Sequence, residues 1–297
     1  VLADLHRHLD GSLRRATLGE LAAIEERAVP TDLTFSPGMG LAAALARFEL
    51  TLSLLKTPDR VRRVASEICE DAIADGVDVL EIRFAPQLHV GAPIEAIVDA
   101  AVEGANGRAG IVLCGLYGEH PSIMAKLVDV ARTRRGVVGI DLAGGPQTND
   151  SFGMSDYAPA FRHAADLGIG RTVHAGEGRP PGEIREAIES LRATRIGHGT
   201  TLMDDPSVVD LVLSRGVTIE ACPTSNVQTG VIATLAAHPL PKWLALGVRA
   251  CVCPDNTLFS DVTSSEEHRR ARAIPGMTDA LLDACILHGN AARFVRT

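Results

Sequence analysis

In this sequence, chemistry-bearing residues collect where apolar runs stop. The opening "VLADLHRHLDGSLRR" sets His6 and His8 two apart, directly ahead of Asp10 and Gly11. An extended strand repeats every two residues, so both imidazoles point to one side, where both can reach one metal ion. Three more runs end in polar groups: "RTVHAGE" presents His174 and then Glu177, "RIGHGT" presents His198 between glycines, and "CPDNT" presents Asp255 and Asn256. His6, His8, His174 and Asp255 make a nitrogen and oxygen donor set suited to one Zn²⁺ with room for a water, another divalent transition metal being the alternative. An open position makes such a site catalytic, and zinc would bring its water's pKa toward about 7. Glu177 and His198 are then free for proton traffic, and with Asp255 they form the candidate catalytic set. Two-metal hydrolytic barrels commonly bridge their metals with a modified lysine on the fourth strand. The corresponding run, "VVGIDLAGG", has none, so a single metal is expected.

Something must hold these run ends together. Eight short runs rich in β-branched residues recur, at 2–9, 77–84, 110–116, 137–142, 171–174, 195–197, 217–222 and 249–253. Between them apolar residues recur at three and four spacing, as in Val61, Val64, Ala65, Ile68 and Ala72, the helical period. Eight strands alternating with helices predict a (β/α)8 TIM barrel, with a doubly wound open sheet as the rival. Barrel strands are buried on both faces, which suits near-continuous apolar runs. In a barrel the strand C-termini and the loops after them form the active face, so polar groups there read as chemistry. No linker or low-complexity tract divides residues 1–297, and one domain is expected. The segment Pro37 to Thr57 is apolar enough to be a helical lid, or it is the first barrel helix.

The bulk numbers exclude several functions. Net charge is -8 and the only lysines are Lys56, Lys126 and Lys242. No basic stripe for nucleic acid is visible. Arginine clusters such as Arg269, Arg270 and Arg272 have acidic neighbours and helical spacing, which marks solvated helix faces. The six cysteines show no CxxC pair and are expected reduced and buried. No signal segment and no bilayer-length apolar run is present, so a cytoplasmic location with no membrane partner is expected. His89, His120, His163, His238 and His268 are read as surface or structural.

The sequence resembles the adenosine deaminase family of metal-dependent amidohydrolases. "HRHLDGSLR", "VLEIRFAP", "GIDLAGG", "TVHAGE", "RIGHGT" and "CPTSN" match family blocks in order over almost the whole chain. The resemblance implies His6, His8, His174 and Asp255 as zinc ligands, the set reached above from spacing. It implies Glu177 as proton donor at purine N1, and His198 as the residue that holds the water and helps it lose its proton. Gly144 would offer its backbone N–H to purine N3, and Asp10 would meet the 5′ end of a ribose. The implied reaction is hydrolytic deamination at C6 of an adenine nucleoside, adenosine or a 5′-modified form such as aminodeoxyfutalosine or 5′-methylthioadenosine. The cytidine-type zinc signature, HxE with PCxxC, is absent.

There are departures. The family usually carries two adjacent aspartates where this chain has Asp255 and Asn256, and "AGGPQ" replaces an acidic residue. Asn256, implied to face purine N7, is always able to donate. It keeps open the deamination of free adenine, a pterin or another amino-heterocycle. Aspartate at position 10 favours a nucleoside. A non-catalytic nucleoside-binding homologue is the reading from another class. The partner is a small molecule in the leading readings, and oligomeric state is not legible.

Overall fold

The computed structural model describes residues 2–147 and 149–295. Among them the strands are β1 (Leu2–His8), β2 (Val77–Phe84), β3 (Gly110–Leu116), β4 (Val137–Ala143), β5 (Gly170–Ala175), β6 (Arg195–His198), β7 (Thr218–Ala221) and β8 (Arg249–Val252). They pair in parallel in chain order. Every expected run is a strand, with ends moved by at most a residue. The sheet curls until β1 meets β8, where Arg7 bridges Asp255 and the His8 N–H donates to the Asp255 carbonyl at 2.9 Å. This is the single-domain (β/α)8 barrel expected.

The helices are α1 (Arg15–Ile24), α2 (Leu41–Leu54), α3 (Pro58–Ala74), α4 (Ile94–Ala105), α5 (Pro121–Arg132), α6 (Ala158–Asp166), α7 (Gly182–Glu189), α8 (Pro206–Arg215), α9 (Pro223–Gln228), α10 (Leu240–Ala245), α11 (Ser264–Arg272) and α12 (Asp279–Ala292). Pro58 opens α3 at its first turn, where a missing N–H costs nothing, and the Thr57 hydroxyl accepts from the Arg60 N–H. Its buried stripe of Val61, Val64, Ile68 and Ala72 packs on β2 and α4. Three helices therefore follow β1. Of these α2 lies over the strand C-termini, with Leu41, Ala44, Leu45, Phe48 and Leu52 facing the cavity there. Helix α12 covers the β1/β8 seam closely. A side chain at Gly289 would press on the Cβ atoms of Ala3 and Cys251 at 3.0 Å.

The barrel interior is ionic rather than aliphatic at mid-height. Arg83 pairs with Asp141 (2.8 Å) and Glu220 (2.7 Å), and Arg195 pairs with Glu220 and Glu81, all nearly unexposed. Below them the Phe294 ring lies 3.5 Å from the Arg195 guanidinium carbon, and its N–H donates to Glu81 at 2.6 Å. No helix among the described residues is long and apolar enough to cross a membrane. All six cysteines are buried and unbridged.

Candidate active site

The strand ends converge as their spacing predicts. His6 Nε2 lies 3.7 Å, and His8 Nε2 3.4 Å, from the same Asp255 Oδ1. The His174 ring centroid is 4.6 Å from that of His6 and 5.4 Å from that of His8. Two of the imidazoles are oriented from behind. His6 Nδ1 donates to Glu220 Oε2 at 2.7 Å, and His174 Nδ1 donates to Asp141 at 3.1 Å. With each Nδ1–H committed to a carboxylate, each Nε2 lone pair is turned into the site, the arrangement by which histidines are prepared for a metal. His6 Nε2 is buried with no hydrogen-bond partner among the described residues. An orphaned imidazole lone pair in a dry pocket is costly unless a cation takes it up. The donor set therefore fits a divalent metal.

Electrostatics agree for His6 and His8. Burial lowers His6 well below its ordinary value, helped by the nearby Arg83 charge, so it is neutral and able to ligate. Burial and the neighbouring His174 do the same for His8. Burial pulls His174 down, but the Asp141 charge and hydrogen bond outweigh it and the net shift is upward. Two other groups lie within reach of the same point: His198 groups with His6 and His174, and Cys222 with His6 and Asp255. Burial pushes the Cys222 thiol up, which keeps it protonated and a poor ligand.

Glu177 and His198 face each other, with Glu177 Oε2 3.7 Å from His198 Nε2. Burial raises the Glu177 carboxyl, which suits an acid, while burial takes His198 down to about 4. His198 and Asp255 both hold left-handed backbone conformations, at φ 67° and 64°. For residues with a Cβ that costs on the order of 1–3 kcal/mol each, a cost met mainly at functional sites. The Asp10 carboxyl is buried and pushed up to about 7, by burial first and then by the Asp255 charge. Asp10 Oδ1 and Asn256 Oδ1 are both buried with no hydrogen-bond partner among the described residues. Gly144 follows β4 with φ 76° and lies on the cavity wall.

His8, Asp10, His174, Glu177, His198 and Asp255 line a cavity of about 350 Å³, with apolar walls from α2, Phe35, Leu88 and Leu116 and His6 buried behind it. None of the described residues lining it is Lys or Arg. All the candidate residues are thus brought to one place. The sequence reading missed Glu220, Asp141 and Arg83, whose only signal is a charge inside an otherwise apolar strand. It also missed Asn226, whose side chain is hydrogen-bonded to His198 Nδ1 at 3.0 Å.

The family model for adenosine deaminase matches residues 2–295. A probable adenosine deaminase of Dictyostelium discoideum is 35% identical over 91% of this chain, which spans 37% of that longer protein. The adenosine deaminase of Enterococcus faecalis is 34% identical over 89% of this chain and 83% of its own length. Among solved structures, the N6-methyl-AMP deaminase of Arabidopsis thaliana superposes with a TM-score of 0.87 at 25% identity, covering 99% of this chain and 92% of that one. An amidohydrolase of Burkholderia ambifaria with bound Zn gives 0.85 at 25% identity, covering 99% and 86%. A likeness that runs through the whole barrel at a third identity leaves one conclusion: the chain belongs to the adenosine deaminase family, metal-dependent hydrolases that act on C–N bonds.

Proposed function

We propose that the protein is a zinc-dependent aminohydrolase that removes the 6-amino group of an adenine nucleoside, adenosine or a 5′-modified adenosine, as ammonia. The observation that carries this reading is a buried carboxyl with a raised pKa, Glu177, held beside His198 at the edge of the histidine and aspartate donor cluster. His6, His8, His174 and Asp255 would hold the ion. Bound there, zinc would supply a water acidified toward neutral pH. The chain's own groups do the rest. Glu177 delivers a proton to ring N1, which breaks the aromaticity of the ring and opens C6 to attack. His198 lies across from it and orients the attacking oxygen. Gly144 offers its N–H to N3, Asp10 meets the 5′ end of the sugar, and the Asn256 amide donates to N7. The Asp10 oxygen, unpartnered among the described residues, supports a polar ligand in the cavity. The adenosine deaminase names of the relatives and the zinc in the Burkholderia structure support the same reading. A permanent amide donor at Asn256 also suits other amino-heterocycles, such as a pterin, which form the second reading.

Ammonia release by zinc-loaded protein tests it, across adenosine, 2′-deoxyadenosine, 5′-methylthioadenosine, aminodeoxyfutalosine, adenine and several aminopterins. Fast turnover of a nucleoside is expected. Glu177→Gln should then lower kcat by about 10²–10⁴ with metal content unchanged. Silence on every nucleoside with zinc bound would overturn the substrate class, and full activity in Glu177→Gln would remove the proposed acid.

A further inference from the structure

Behind His198 lies a buried histidine with no assigned part. His238 is 3% exposed, precedes α10 and packs edge-on against the Trp243 ring at 5.5 Å. Its Nδ1 accepts from the backbone N–H of Leu240 at 3.2 Å. A backbone N–H can only donate, so this nitrogen carries the lone pair. Burial takes His238 down to about 4, so the ring is neutral near pH 7 and its one proton sits on Nε2.

That proton fixes the next link. His238 Nε2 is 3.2 Å from Asn226 Oδ1, so the amide oxygen is used as an acceptor there. Only the NH₂ end of Asn226 is left for His198, and Asn226 Nδ2 is 3.0 Å from His198 Nδ1. An amide nitrogen only donates, so His198 Nδ1 must accept. The proton of the neutral imidazole is therefore on Nε2, the nitrogen 3.7 Å from Glu177 Oε2. Each link is decided by the one before, and the first is a main-chain N–H that cannot be flipped.

We propose that Asn226 and His238 are positioning residues that hold His198 in its Nε2–H tautomer, so that His198 meets the oxygen adding to the ring carbon with a hydrogen-bond donor. This departs from the base role that the resemblance implies for His198. A preorganised donor stabilises charge developing on that oxygen, and no proton changes place at His198. The catalytic consequence rests on the deaminase reading above; the tautomer does not.

The test is long-range ¹H–¹⁵N correlation on the zinc-loaded protein labelled with ¹⁵N-histidine, with His198 assigned by its disappearance in His198→Gln. His198 Nδ1 should resonate as an unprotonated nitrogen and Nε2 as an N–H. Asn226→Asp, an acceptor toward both rings, should move the proton to Nδ1 and lower kcat roughly a hundredfold, with KM within about twofold. His238→Gln keeps a donor for Asn226 and should keep the wild-type tautomer, whereas His238→Leu should lose it. A wild-type spectrum with the proton on Nδ1 overturns the proposal whether or not any variant folds. So does an Asn226→Asp protein with tautomer and kcat unchanged. Inactivity on every nucleoside, with the spectrum as expected, would overturn the nucleoside reading and leave the tautomer assignment standing.

Discussion

At Gly11 there is room for a hydrogen and nothing larger, because a Cβ there would overlap the Asn256 amide oxygen. That oxygen is buried against the glycine without a partner, which turns the amide's NH₂ toward the cavity. Gly11→Ala should therefore displace Asn256. We expect KM for a nucleoside to rise about tenfold, the worth of one hydrogen bond, with metal content unchanged. Unchanged KM in steady-state assays would mean that Asn256 does not hold the ring. The residues proposed as ligands were legible because imidazoles at strand ends have no packing reason to be there. Those that support them were not. Arg83 and Glu220 are buried ions whose reason is each other, 137 positions apart, and in a local reading each is only a charge interrupting a strand. Asn226, in "PTSN", reads as an ordinary polar residue at a helix start, and its partner His238 was read as structural.

Among the elements, α9 shows how a short helix is fixed well enough to carry a positioning residue. Its first turn is tied to α11: the Thr224 N–H donates to Glu267 Oε1 at 2.7 Å, and the Thr224 hydroxyl donates to Oε2. A carboxylate suits a helix N-terminus, yet Glu267 is fully buried and burial pushes it up to about 7. The folded protein then holds a proton that the unfolded chain, with an ordinary glutamate near 4.5, gives up. Between those values stability must fall as pH rises. Glu267→Gln removes that slope, so its stability relative to wild type should climb between pH 4.5 and 8 by up to about 3 kcal/mol. Urea unfolding at pH 5, 6.5 and 8 checks this, and parallel curves would show that Glu267 titrates normally. The strands were legible almost to the residue, because each buried run is bounded by helical spacing or glycine. The segment 37–57 was less so. Leu41, Leu45, Phe48 and Leu52 give the same apolar stripe whether a helix packs on a barrel or over its mouth, and only the fold places α2.

For the molecule as a whole, the ionic interior is capped from below by the partly buried Phe294 side chain. The Phe294 ring fills the space that Cβ atoms would take at Gly139 and Gly170, and it lies on Arg195. Buried ion pairs add little stability by themselves but are costly when left incomplete or wet. Phe294→Ala should therefore cost about 2–3 kcal/mol, less than for a fully buried aromatic because the ring is only partly buried, and make unfolding more sensitive to salt. A loss below about 1 kcal/mol in denaturant titrations would show that the plug is ornamental. The ladder above it runs from Arg195 through Glu220 to His6, so damage at the floor should also loosen the mouth.

The β1/β8 seam, finally, bears on how the protein comes into being. His6 and His8 leave the ribosome about 250 residues ahead of Asp255. The hydrogen bond from His8 to Asp255 closes the ring beside the residues proposed to hold the metal. Contacts so distant in sequence form late, after the loop they close has been ordered. Newly made chains thus carry the two histidines well before the proposed donor set is complete, and metal capture would be a checkpoint at the end of folding rather than a seed at its beginning.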